Sequence, residues 1–148
     1  MGRKRMTGVL MIAAFAGCDA GPGAAEIFAF RARITTGAEG SDGDVHLCWT
    51  AGGTEECKEL ASDDDDFTAN TSRVYEVRPT KRIPETTPLT NIRLKYTAPL
   101  LVGRDEWELK AVTVTAFLAN DTSKVVCDER NLALRMFPNQ TFDCPSPQ

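Results

Sequence analysis

The chain has 148 residues, with 17 Lys and Arg against 21 Asp and Glu, a formal net charge of -4 and a hydrophobic content of 42%. That is room for one ordinary domain with one core, which excludes a wholly disordered chain and a multi-span membrane protein. Outside Arg3, Lys4 and Arg5 there is no basic cluster to neutralise a phosphate backbone, so no nucleic-acid partner is expected.

Those three cations precede a short apolar run from Gly8 to Gly17, with VLMIAAFA at its centre, the basic and hydrophobic regions of an export signal. The run is too short to cross a bilayer as a helix, which needs about 20 residues. It leads into Phe15-Ala16-Gly17-Cys18, which resembles a bacterial lipobox with Phe where Leu is usual. The resemblance implies that residues 1–17 are a lipoprotein signal peptide and that Cys18 becomes the lipidated first residue. Residues 18–25 then form the lipidated Cys and a flexible tether of small, turn-forming residues. Removing the signal leaves 14 basic residues against 21 acidic ones, an acidic mature protein. The expected location is the bacterial cell envelope, lipid-anchored to a membrane, with inner and outer membrane both open.

Five cysteines are an odd number for an exported protein, and assigning Cys18 to the lipid leaves four for two disulfides. Gly52-Gly53 reads as a two-residue hairpin turn, which sets Cys48 opposite Cys57 at a non-hydrogen-bonded position, where side chains are closest. Cys127 and Cys144 pair by elimination. Zinc motifs use much shorter spacings than those separating these four residues, so a four-cysteine metal site is not expected.

From Glu26 the pattern has period two. Phe28, Phe30, Ala32 and Ile34 share one face of a first strand, and Val45, Leu47 and Trp49 one face of a second. The returning strand, 54–60, carries Glu56 and Lys58 on the face of Trp49 and Leu47, which marks it as an edge or as a strand that curls away from the core. A strand around 74–77 ends at Pro79, 79–91 reads as a long loop, and Ile92, Leu94 and Tyr96 form the next strand. Trp107 and Leu109 have opposite parity to Val112, Val114, Ala116 and Leu118, so one strand here requires a bulge near Lys110-Ala111. Short strands follow at 123–127 and 132–137, with a disulfide-held tail to Cys144. No amphipathic helix of three turns is evident, so the reading is all-β, an antiparallel β-sandwich over 26–148.

Several segments, in order, resemble a PLAT (lipoxygenase homology) domain. These are Phe30-x-Ala32-x-Ile34-Thr35-Thr36-Gly37, Gly40-Ser41-Asp42-Gly43-Asp44-Val45-x-Leu47, the stretch from Phe67 to Val77, Leu89-x-x-Ile92-x-Leu94, and Trp107-x-Leu109-x-x-Val112-x-Val114. The resemblance spans Glu26 to Leu118. It departs from the family at Thr97, where an acidic residue often stands, and at Arg73, where Asp is usual. It implies a non-enzymatic module that docks onto a lipid or protein surface, sometimes with calcium.

Candidate calcium ligands are Asp42 and Asp44, with Glu39 nearby and Asp105 joining from a later loop, a set short of a complete calcium motif. The ordinary fate of such acids is a solvated turn, as it is for the run Asp63 to Asp66. Leu100, Leu101 and Val102 form an apolar loop between strands and are the candidate lipid or partner contact; the competing reading buries them. Trp49 and Trp107 sit in strand patterns and are expected in the core. A small hydrolase is the weaker alternative, because His46 is the sole histidine and no nucleophile motif accompanies it. A structural envelope protein without a ligand is the other.

Overall fold

The computed structural model describes residues 25–62, 66–98 and 106–145. The signal sequence, Cys18 and the tether up to residue 24 lie outside the described residues.

Among these residues all regular structure is β. The strands are β1 (Glu26–Thr36), β2 (Asp44–Ala51), β3 (Thr54–Glu59), β4 (Ser72–Val77), β5 (Ile83–Pro84), β6 (Leu89–Thr97), β7 (Trp107–Leu118), β8 (Ser123–Glu129), β9 (Leu134–Met136) and β10 (Thr141–Asp143). They form two antiparallel sheets. One runs β4-β1-β7-β8, with β5 beside β1 and β9 beside β7; the other runs β10-β6-β2-β3. The expected antiparallel sandwich is what the chain adopts.

Turn stereochemistry sets the hairpin. Gly52 and Gly53 take φ of 57° and 83°, the left-handed pair that a type I′ turn requires and that glycine adopts without a Cβ penalty. Ala51 then faces Thr54, and counting outward Cys48 faces Cys57. The disulfide forms there with Cα atoms 4.1 Å apart. The Cys127–Cys144 disulfide joins the end of β10 in one sheet to β8 in the other. As expected, β3 is an edge strand.

The anticipated bulge in β7 lies at Lys110: Thr35 pairs with Ala111 and Thr36 with Leu109. The extra residue lets Trp107 and Leu109 share the core with Val112, Val114, Ala116 and Leu118, all of them buried. A second bulge corrects the sequence reading of β1. Its register against β7 shifts between Ile27 and Ala29, so Ile27 is buried in place of Phe28, which is half-buried. Two further corrections concern the loop expected over 79–91, which contains β5 and the start of β6, and the tail, whose residues Thr141–Asp143 add an edge strand to β6.

Both tryptophans are in the core, Trp49 at 1% exposure and Trp107 at 0%. Phe30 packs on Trp49 with ring centroids 4.6 Å apart. At the other end of the core, Phe67 contacts Tyr75 and Trp107, and Trp107 contacts Tyr96. Aromatic rings thus fill the space between the sheets, which suits a scaffold that presents its surface rather than an internal cavity.

Candidate surface-binding end of the sandwich

The strand ends that flank four connections meet at one end of the fold: β1–β2 (37–43), β3–β4 (60–71), β6–β7 (98–106) and β9–β10 (137–140). Backbone hydrogen bonds tie them together. The Asn70 amide donates to the Gly37 carbonyl at 2.7 Å, the Ser41 amide to Phe67 at 3.1 Å, the Gly37 amide to Glu108 at 2.8 Å, and the Glu108 amide to Glu39 at 3.0 Å. The Glu108 carboxylate also accepts from the Ala38 amide at 2.8 Å. Asp44 stands opposite Thr97, at the foot of the β6–β7 connection. Sequence positions far apart are therefore neighbours here.

Side chains pin this end to the core. Ser41 and Tyr96 share a buried hydrogen bond of 2.6 Å between their hydroxyls, and Ser41 Oγ accepts from the Gly43 amide at 2.8 Å. The Trp107 indole donates to Thr36 Oγ1 at 3.2 Å, both groups being buried. Buried polar groups of this kind need partners, and these partners hold the turn in one shape. Phe67 is 2% exposed and has φ of 57°, an unfavourable conformation for a residue with a Cβ. Insertion of its ring between Tyr75 and Trp107 holds it there. None of these pins was legible as a pair in the sequence, since Ser41 and Tyr96 lie 55 residues apart.

Asp42 and Asp44 are both exposed on the β1–β2 turn. The Thr97 hydroxyl, standing where an acid is usual in PLAT domains, lies 3.4 Å from the Asp44 carbonyl oxygen. Among the described residues these acids do not join Glu39 or any other acid in a set of three converging ligand atoms. Two carboxylates fall short of the six to eight oxygens that calcium takes. Asp105, the third expected ligand, and the apolar residues Leu100, Leu101 and Val102 lie outside the described residues. The described strands that flank them, β6 and β7, end beside Asp44 and Glu39.

Of the acidic run, Asp66 is described, and it differs from a freely solvated side chain. Its carboxylate accepts from the Ser62 amide at 3.0 Å and the Ser62 hydroxyl at 2.6 Å. Burial, with the Asp66 carboxylate nearby, pushes the Tyr75 hydroxyl up to about 12.

His46 lies on the outward face of β2, between Glu59 and Lys95 on the neighbouring strands. Two surface clefts open at the opposite end and side of the sandwich. One is floored by Trp49, Ala51 and Ile83, the other runs from Thr86 to Asn91 toward Lys124, and neither is lined by His46.

The fold has solved counterparts. The chain is similar to alpha-toxin from Clostridium absonum, with 20% identity and a TM-score of 0.69, over 86% of this chain and 34% of that one. It is similar to alpha-toxin from an avian strain of Clostridium perfringens, with 18% identity and a TM-score of 0.69, over 81% of this chain and 32% of that one. A lipoxygenase variant aligns with 13% identity and a TM-score of 0.54, over 79% of this chain and 16% of that one. The chain thus spans about a third of the length of the toxins, and the shared part is a PLAT-type β-sandwich. No protein-family model matches the sequence, and no curated protein does.

Proposed function

We propose that this chain is a non-enzymatic binding module of PLAT-like fold, carried on a bacterial cell-envelope lipoprotein and docking onto a lipid or protein surface. The observation that supports it is the PLAT-type sandwich with a solid aromatic core and the strand ends of four connections gathered at one end. In this reading Cys18 carries the lipid and residues 19–24 are the tether, one residue shorter than expected because Ala25 is buried in the core and its carbonyl accepts from the Glu85 amide. Several acyl chains on one residue anchor firmly where one would be marginal, so the anchor supplies membrane residence and the loop end is left to engage a second surface. Asp42 and Asp44 supply negative charge at that end, and Leu100 to Val102 supply apolar contact. Calcium, where it takes part, bridges those carboxylates to anionic headgroups or completes a site with Asp105.

The test is co-sedimentation of the domain beginning at Asp19 with neutral and with anionic vesicles, each with and without calcium. Calcium-dependent pelleting that is lost in Asp42→Asn/Asp44→Asn supports the calcium-bridged reading, and calcium-independent pelleting lost in Leu101→Asp supports the apolar one. No pelleting in any arm rejects lipid and leaves an envelope protein as the surface, sought by crosslinking in intact cells. Replacing Cys18 with Ser should move the protein to the soluble fraction, and retention in the membrane would refute the anchor.

A further inference from the structure

The disulfide at the β2–β3 edge has chemically unequal sulfurs. Period two places Cys48 and Cys57 on the outward face of their sheet, opposite in side to Leu47, Trp49 and Lys58. Even so, Cys48 is fully buried, while Cys57 is exposed on β3, which among the described residues has no strand on its outer side. A thiolate arriving from solvent therefore reaches Cys57 and not Cys48.

Charged groups gather on the same site. Arg93 of β6 stands directly opposite Cys48 in the ladder. Its guanidinium pairs with Glu55 through Nη2, yet its Nε–H is buried and has no hydrogen-bond partner among the described residues, a state that is unfavourable for so strong a donor. Glu55 Oε1 lies 3.5 Å from Cys57 Sγ. A Glu55 carboxylate oxygen and the two sulfurs lie within 4.8 Å of one another, and Arg93 is the cation paired to that carboxylate. Glu55 stands near either thiolate, so direction rests on the exposure of Cys57 and on the Nε–H of Arg93, opposite Cys48, as a donor for a Cys48 thiolate.

From this we infer that the Cys48–Cys57 disulfide is a directional thiol-exchange site, whose substrate is a low-molecular-weight thiol or the exposed thiol of a dithiol protein. The incoming thiolate attacks Cys57 Sγ. A bond forms between the two sulfurs, the Sγ–Sγ bond breaks, and its electron pair leaves on Cys48 as a thiolate facing Arg93. A second thiolate then attacks the incoming sulfur and releases Cys57 as thiolate. Overall two external thiols are oxidised to one disulfide and two cysteines are reduced. Exchange is favoured by a leaving thiol of lowered pKa, which is what a neighbouring guanidinium confers. The consequence for the fold is release of the charged edge strand β3 from its covalent tie to β2, while Cys127–Cys144 still joins the sheets.

The test uses the full chain with Cys18→Ser, so that the four remaining cysteines are those of the two disulfides. The protein is exposed briefly to reduced glutathione, quenched in acid, alkylated and mapped by mass spectrometry. The expected product carries glutathione on Cys57 and the alkyl group on Cys48, with Cys127–Cys144 intact. Glutathione on Cys48, an even mixture, or prior attack on Cys127–Cys144 would overturn the inference. Three substitutions separate electrostatics from loosening of the edge. Arg93→Gln should slow the first step about three- to tenfold and Arg93→Lys should restore most of the rate, because a lower leaving-group pKa speeds exchange. Glu55→Gln should raise the rate by a similar factor. A role in packing alone predicts that all three substitutions accelerate attack, and that result would refute a part for Arg93 charge.

Discussion

Replacing Phe67 with Ala should destabilise the domain by about 4 to 5 kcal/mol, a large share of the roughly 5 to 15 kcal/mol that holds a typical domain together. The ring is 2% exposed and meets Tyr75 and Trp107 with centroid separations of 5.3 Å each. Its burial is worth about 3 kcal/mol. A residual void on the order of 50 Å³ adds about 1 kcal/mol, and the lost ring–ring geometry contributes on the order of 1 kcal/mol more. Backbone strain offers no relief, since Ala at φ of 57° carries the same left-handed penalty. Urea unfolding followed by the fluorescence of the buried Trp49 and Trp107 measures the loss directly. A decrease below about 1 kcal/mol with an unchanged denaturant slope would refute the claim that Phe67 anchors this end of the core. Because the Phe67 carbonyl also accepts from Ser41, the substitution should raise proteolytic cutting in 37–43 and 60–71 well before global unfolding.

Three other perturbations test separate parts of the account. Gly43→Ala places a Cβ 2.6 Å from the Thr97 carbonyl oxygen and from the Tyr96 ring, so it should lower stability by about 1 to 3 kcal/mol; an unchanged melting temperature would show that the turn gives way freely. The folded chain keeps the Tyr75 proton that the unfolded chain releases near its ordinary value of 10. Its contribution is therefore complete below pH 10 and disappears as pH rises through about 12. Tyr75→Phe should flatten the loss of stability across that window, and identical alkaline profiles would contradict it. Removing Cys127–Cys144 by paired Ala substitutions, at a separation of 17, should cost about 3 kcal/mol from loop closure alone, against about 2.5 kcal/mol for Cys48–Cys57 at a separation of 9. The inter-sheet bridge also packs the fully buried Cys127, so equal or inverted losses in urea unfolding would argue against its role in joining the sheets.

The sequence by itself determined what short-range stereochemistry and period-two alternation control. The Gly52-Gly53 turn fixed the register of the hairpin and with it the Cys48–Cys57 pairing, because a two-residue loop with both residues at positive φ leaves no freedom to slip. The change of parity after Leu109 demanded the Lys110 bulge, since either half of β7 alone would otherwise face solvent. Both tryptophans were placed in the core by alternation alone. Tertiary structure decided what depends on partners distant in the chain. The bulge at Ile27 to Ala29 turns Phe28 out of the core only because β1 pairs with β7 across some 90 residues. The three-residue β10 has no periodic signal long enough to read, and it forms because β6 offers a free edge. The juxtaposition of Arg93 with Cys48, the Ser41–Tyr96 hydrogen bond and the gathering of Asp44, Thr97 and Glu39 at one end all arise from ladder register. The sequence carries the strand patterns, while contacts across non-consecutive strands are set by which pairing buries every apolar face at once.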